Sequence, residues 1–352
     1  MEWIDALRGL TMILVVANHV GMHSFGQKFG ASASMPFLVL MRMPMFFFIS
    51  GFLAYKSGIE WNFGTYCRLT AKKLRVQVIP TLVFFFAFVA VAFPSNYCDT
   101  VLRFFHSPMK GGYWFTIALL YMFVVYYAIE FLLNKIRWKG LAPYVIVWVI
   151  GVLLYESCFL PKQFDWAVGH KGGYEGWLND TSFVEFMKYF HFFIFGNIVH
   201  RYWNRVQQLF DNKWVILAII GITFFSSIEF LKIHWLHGQW ANLTRTFAQY
   251  GLFTLVFMAF RYYKDNFTKE HRAGRCLQYV GTRTLDVYLL HYFFLPNLPM
   301  VGEFFNTYKH NFAIDTTFQL LVAAVVIAFC LLVSNILRIS PTLKLYLFGR
   351  KG

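Results

Sequence analysis

The chain has 352 residues, of which 58% are hydrophobic, 21% aromatic and only 14% charged, a composition too apolar for a soluble domain of ordinary proportions. It reads as an all-α polytopic membrane protein. The net charge of +15 invites a nucleic-acid partner, but the cations fall between hydrophobic stretches and mostly on one side, which argues for membrane topology instead.

Stretches long enough to span a bilayer fall at about 4–23, 35–55, 76–94, 113–133, 141–160, 183–199, 214–231, 245–263, 280–300 and 317–337, which predicts about ten transmembrane helices. The sixth carries Glu185 and Lys188, the ninth Arg283 and Asp286. With the N-terminus cytoplasmic, 21 of the 32 Lys and Arg residues fall in cytoplasmic loops and tail and 9 on the opposite side, the latter including Lys28, Lys162, Lys171 and Lys309. That bias predicts an N-in, C-in topology. The longest loops, about 56–75, 161–182 and 264–279, are too short for a core of their own, so residues 1–352 are expected to form one membrane domain.

The first span, IDALRGLTMILVVANHV, carries Arg8 and His19. Charged groups in a span cost about 2.5 to 3.5 kcal/mol each on insertion scales and usually line an interior cavity. Eleven residues at about 100° each bring the two side chains to within about 20° of one another, some 16 Å apart along the axis. Both face one way, but too far apart to act on one reacting atom. Asp5, three residues before Arg8, can pair with it. Glu2 and Asp5 open the span and no small-x-small pattern follows, so it is expected to be retained rather than cleaved.

The second span holds Arg42, Pro44 and the run PMFFFISGFL. Proline predicts a kink, Ser50-Gly51 permits close backbone approach, and a guanidinium at Arg42 needs a partner or an anionic ligand. Residues 60–77 mix Trp61, Phe63, Tyr66, Leu69 and Leu74 with Arg68, Lys72, Lys73 and Arg75, as a helix lying on the cytoplasmic surface does. Its cations either anchor anionic lipid headgroups or cradle a soluble phosphorylated cofactor. In the ninth span, Asp286 and His291 diverge by about 140° and cannot form a side-by-side dyad, whereas Tyr288 and His291 can. Five cysteines do not suggest a disulfide framework, although Cys98 and Cys158 could meet at the outer surface.

Taken together these residues resemble the acyltransferase 3 family of bacterial integral membrane acyltransferases. The match is carried by Arg8 and His19 with ten residues between them, preceded by Trp3 and Asp5; by the MP-x-FFF-x-SG run from Met43 to Gly51; by Lys72, Lys73 and Arg75 ahead of Pro80; and by Gly281, Leu285, Tyr288 and His291. Trp114-Phe115 resembles the family's fourth-helix opening. The chain departs at Arg42, where relatives commonly carry histidine or another polar residue, and at Gly112-Tyr113, where His-Leu is usual.

The resemblance implies transfer of an acyl group, most often acetyl and sometimes succinyl, from cytoplasmic acyl-CoA to a hydroxyl of a cell-surface carbohydrate or lipid-linked glycan precursor. It places the chain in the bacterial inner membrane among lipids, with polysaccharide O-acetylation as the expected process, no metal, and monomer or homodimer both open. An alcohol attacking a thioester needs a base titrating near neutrality, which histidine supplies. His19 is therefore the expected base, or less simply a transient acyl carrier, with Asp5 and Arg8 completing the first-helix motif and the Ser50 region supplying oxyanion donors. Arg8, Arg42, Lys72, Lys73 and Arg75 are the expected acyl-CoA contacts, and Trp114, Tyr288 and His291 the expected acceptor contacts. The rival of a different class is a transporter or flippase for a lipid-linked sugar, with Arg42, Asp286 and His291 as relay groups. An unrelated membrane-bound O-acyltransferase would leave the first-helix motif unexplained.

Overall fold

A computed structural model describes residues 1–27, 32–158, 176–237, 239–307 and 311–348. Every regular element among them is helical. In chain order these are α1 (Glu2–His19), α2 (Met35–Ala54), α3 (Phe63–Lys73), α4 (Ile79–Ala92), α5 (Tyr97–Phe105), α6 (Trp114–Lys135), α7 (Ala142–Ser157) and α8 (Phe183–Arg201). They are followed by α9 (Trp203–Phe210), α10 (Lys213–Ile228), α11 (Gln239–Tyr262), α12 (Arg272–Thr282), α13 (Thr284–Phe294), α14 (Pro299–Thr307), α15 (Phe312–Leu337) and α16 (Pro341–Phe348).

Among the described residues six helical runs are long and apolar enough to cross a membrane: Glu2–Ser24, Met35–Ala54, Phe63–Ala92, Trp114–Lys135, Lys213–Ile233 and Phe312–Leu337. Ala142–Ser157 is a shorter apolar helix. The expected spans at 183–199, 245–263 and 280–300 are helical but more polar. Their polar groups are hidden in protein, as Glu185, His191 and Asn197 are on α8 and Asp286 and His291 on α13, where they need not face lipid. The expected ninth span is divided at Arg283, whose backbone (φ −118°, ψ 23°) ends α12 and starts α13. Of the charges used for topology, Lys28, Lys162, Lys171, Lys309, Arg350 and Lys351 lie outside the described residues.

The helix expected to lie apart over 60–77 is instead continuous with the span that follows it. Asn62 caps α3 by accepting from the Thr65 N–H at 2.8 Å, and a wide turn, Leu74–Val78, carries the chain into α4. Pro80 sits in the first turn of α4, where its missing N–H costs little. α2 likewise runs unbroken through Pro44. Cys98 and Cys158 are both free thiols.

The chain forms two compact units: residues 1–46 with 204–337, and residues 47–203 with 338–352. In the first, α1 is the central element and α12 packs along it at backbone distance. A Cβ on Gly9 would meet the Leu277 carbonyl, and one on Gly281 the Asp5 carbonyl, so two glycines set how close the helices come. The segment leading into α2 is fastened by Asp315 of α15, which is 2% exposed. Its carboxylate accepts from Ser32 Oγ at 2.7 Å, Ser34 Oγ at 2.9 Å, the Ser34 N–H at 3.1 Å, Gln319 Nε2 at 2.9 Å and Gln27 Nε2 at 3.1 Å.

In the second unit α6, α7 and α8 pack around aromatic rings. Gly51 and Gly196 sit where a side chain would collide with the backbone of Phe193 and Phe48, which accounts for Gly51 by packing alone. Lys110 folds back before α6, its ammonium donating to the carbonyls of Phe105 and Asp180. Burial pulls that ammonium below its usual range, and the Asp180 carboxylate opposes the shift.

Candidate functional site

The polar residues of α1 meet those of α13 at two levels within the first unit. At the lower level Arg8 donates to Asp5 Oδ1 at 3.1 Å and to Thr284 Oγ1 at 3.1 Å. At the upper level His19 Nδ1 lies 2.8 Å from His291 Nε2. The partners of Arg8 and His19 are seven residues apart on α13, two helical turns, so α1 and α13 run in the same direction with their polar faces in contact. Arg8 and His19 thus share a face, as the spacing predicts.

The hydrogen bonds also determine where the imidazole protons sit. His291 Nδ1 is 2.7 Å from the Tyr288 carbonyl and 3.2 Å from that of Val287. A carbonyl only accepts, so Nδ1 of His291 carries its proton. In the neutral ring Nε2 is then an acceptor, and the proton in the 2.8 Å contact belongs to His19 Nδ1. The basic lone pair of His19 is left on Nε2. His291 is fully buried, whereas His19 is only partly so. The arrangement is that of a base oriented by a second group, which is in turn held by a third.

Two further aromatic groups close around the pair. Tyr292 lies tilted at 4.0 Å from the His291 ring and stacks on that of His19 at 5.3 Å. His23, exposed, sits edge-on at 5.8 Å from both His19 and Tyr292. The Arg42 guanidinium lies within electrostatic reach of His19 and Tyr292, so it places positive charge on the His19 side of the pair. Among the described residues no group of three or more His, Cys, Asp or Glu side chains is disposed to hold a metal ion; His19 stacks on His291 and meets His23 edge-on.

Tyr288 reaches His291 through its carbonyl, with the rings 6.1 Å apart. Asp286 points elsewhere, accepting from Ser334 Oγ at 2.7 Å, in keeping with the helical angle that separates it from His291. The remaining expected site residues belong to the second unit. Ser50 precedes the packing residue Gly51 on α2. Trp114 is buried against Phe47 and Tyr189, with centroids at 6.3 and 5.8 Å. Lys72 and Arg75 are exposed, but Lys73 lies over the Phe123 ring at 3.4 Å, so the three cations do not form a uniform cradle.

Sequence reasoning missed the His19–His291 hydrogen bond, the stacking of Tyr292, His23 and the Asp315 cluster. The four-residue spacing of His19 and His23 placed them on one helix face and was a usable signal. The pairing of His19 with His291 joins residues 272 apart, which no local pattern reports.

No curated protein and no solved structure matches the chain. The model of the acyltransferase 3 family, described as an acyltransferase domain, matches residues 1–335. That stretch contains the paired histidines, the Arg8–Asp5 contact and, but for the last two residues of Phe312–Leu337, the six described runs able to cross a membrane, and the chain is therefore a multi-pass membrane member of the acyltransferase 3 family.

Proposed function

We propose that the chain transfers an acyl group, in the simplest case acetyl, from acyl-CoA to a hydroxyl of a cell-surface carbohydrate or lipid-linked glycan precursor. The observation that carries the reading is the hydrogen-bonded relay from the Tyr288 carbonyl through His291 to His19. It supports His19 Nε2 as the base that takes the acceptor's hydroxyl proton while the oxygen attacks the thioester carbonyl. As the tetrahedral intermediate collapses, the carbon–sulfur bond breaks and the thiolate recovers a proton from His19. The nearby charge of Arg42 favours the oxyanion, a role expected of Ser50 as well. Arg8, about 16 Å along α1 from His19, is suited to the donor's arm rather than to its carbonyl. The cationic bias of one set of loops supports an N-in, C-in chain in a bacterial inner membrane, with the donor drawn from the cytoplasm.

The test is acyl-CoA binding and thioester turnover by purified wild type, His19→Ala and Arg8→Ala in lipid nanodiscs. We expect His19→Ala to bind the donor but lose turnover by about 10²- to 10⁴-fold, and Arg8→Ala to lose donor affinity. Turnover by His19→Ala at the wild-type rate would remove the base from the mechanism. Failure of all three proteins to bind acyl-CoA would point to another acyl donor.

A further inference from the structure

The first unit carries a second polar feature, at the end of α1 where Arg8 lies. The turn between α11 and α12 holds Lys264 and Lys269, with Arg261 in the last turn of α11, Arg272 and Arg275 in the first turns of α12, and Arg283 past the opposite end of α12. Two of these cations are engaged: Arg261 donates to both Asp211 oxygens at 2.7 and 2.9 Å, and Arg283 bonds Asn335 and covers the Tyr279 ring. Lys264, Lys269, Arg272 and Arg275 are exposed and have no ion-pair partner among the described residues. Three carboxylates share the surface, Asp265, Glu270 and Glu2, all exposed, and that of Glu2 is engaged by the Lys269 N–H.

The backbone under these cations is fixed from several directions. A Cβ on Gly274 would run into the Thr268 carbonyl and the Phe267 backbone, so the first turn of α12 rests directly on residues 267–268. Phe267 stacks flat on Phe260, with centroids 4.1 Å apart, and its carbonyl accepts from the buried Gln278 at 2.5 Å. The Lys269 N–H donates to Glu2 Oε2 at 3.1 Å, tying the turn to the start of α1. Arg272 and Arg275, three apart on α12, share a helix face. Immediately before Lys264 in the chain, Tyr262 and Tyr263 are 78% and 55% exposed, ring surfaces of the kind on which a base stacks.

A rigid, cationic, aromatic-flanked turn suits a nucleotide polyphosphate, whose charge it can meet without first paying the entropy of ordering the loop. We propose that Lys264, Lys269, Arg272 and Arg275 bind the phosphates of the acyl donor's nucleotide, with Tyr262 or Tyr263 beneath its base. The proposal rests on reading the donor as acyl-CoA. From Glu2, beside the turn, to His19 is about 26 Å along α1 with Arg8 on the way, the course a pantetheine arm takes from nucleotide to reacting sulfur. It gives the nucleotide a different seat from Lys72 and Arg75. The same phosphate chemistry is offered by anionic lipid headgroups, and the two sources are separable.

The experiment titrates CoA and 3′-dephospho-CoA into the protein in nanodiscs of neutral lipid. Wild type is compared with Arg272→Gln/Arg275→Gln, Lys264→Gln/Lys269→Gln and Lys72→Gln/Arg75→Gln. We expect each of the first two double variants to bind CoA roughly tenfold more weakly, with the preference for CoA over dephospho-CoA falling towards one, while the third keeps that preference. If wild type binds CoA and the first two variants bind it equally well with the preference intact, the proposal is overturned and the donor reading stands. If wild type binds no CoA, both fall. Titrating anionic lipid into the discs gives the other arm. Loss of a lipid effect in the arginine variant with CoA affinity unchanged would assign the turn to headgroups and overturn the proposal.

Discussion

Each unit buries a polar cluster among apolar helices, and the two are satisfied in different ways. In the second unit Glu130 of α6 receives Arg201 of α8 on one oxygen and the Tyr144 hydroxyl on the other at 3.3 Å. The guanidinium is covered by the rings of Tyr144 at 3.9 Å and Tyr55 at 4.6 Å. Both charges are nearly enclosed, at 5% and 17% side-chain exposure, and neither carboxylate oxygen is idle. In the first unit the His19–His291 pair is a string of neutral bonds in which every step is directed and the last nitrogen keeps its lone pair. An enclosed ionic cluster holds helices together. A directed one with a free lone pair at its partly buried end is built to exchange a proton.

The comparison breaks most sharply at Arg201. Arg201→Met leaves Glu130 buried without compensation and is expected to cost about 3 to 5 kcal/mol, read as a fall in thermal midpoint in detergent. Glu130→Leu/Arg201→Met should recover most of that loss, because removing both partners removes the uncompensated charge. Turnover per folded molecule should be unchanged in the double variant. A single variant as stable as wild type would mean the pair is not a lock.

At the other cluster the expected signature is reversed. His291→Phe keeps a ring against Tyr292 but removes the acceptor that orients His19, and should lower turnover at saturating donor by about a hundredfold with little change in thermal midpoint. A loss of acceptor affinity in place of turnover would restore His291 to the substrate-contact role that the sequence suggested. Asp315→Asn stands between the two kinds of cluster. It preserves shape but turns an amide N–H towards a set of donors, and is expected to cost about 2 kcal/mol, measured by thermal unfolding. Stability equal to wild type would show that the five contacts to Asp315 do not fasten this segment.

How far the sequence carried depends on whether the relevant relation lies within one helix. Helical angle alone put Arg8 and His19 on one face, paired Asp5 with Arg8 and kept Asp286 away from His291, and the structure has all three. Relations between helices were invisible: Arg8 with Thr284, His19 with His291 and Asp315 with Ser32 are separated by 276, 272 and 283 residues. Hydropathy also misjudged where helices stop. It split the run Phe63–Ala92 because of its cations and joined α12 to α13 across Arg283, since an apolarity average registers neither a backbone turn nor a charge folded onto a ring, as Lys73 is on Phe123.

The exposed pair Asp211–Arg261 tests the comparison from its weak end. It has better geometry than the buried pair, two parallel bonds at 2.7 and 2.9 Å, yet the Asp211 side chain is 63% exposed against 5% for Glu130, so water competes for the carboxylate and good geometry alone should contribute little. The hydrogen bonds from Arg261 hold the Asp211 carboxyl below its usual value. A depressed value in the folded state means that the unfolded chain takes up a proton first as pH falls. The contribution is therefore complete above the ordinary aspartate value of about 4 and is lost as pH falls through the lower, folded one. Asp211→Asn should thus be slightly less stable than wild type at pH 7, and the gap should close in acid as wild type loses its own charge. Unfolding midpoints of the two proteins from pH 7 to pH 3 provide the check. A gap that is large at pH 7 or that persists into acid would show that enclosure is not what separates the strong ion pair of this chain from the weak one.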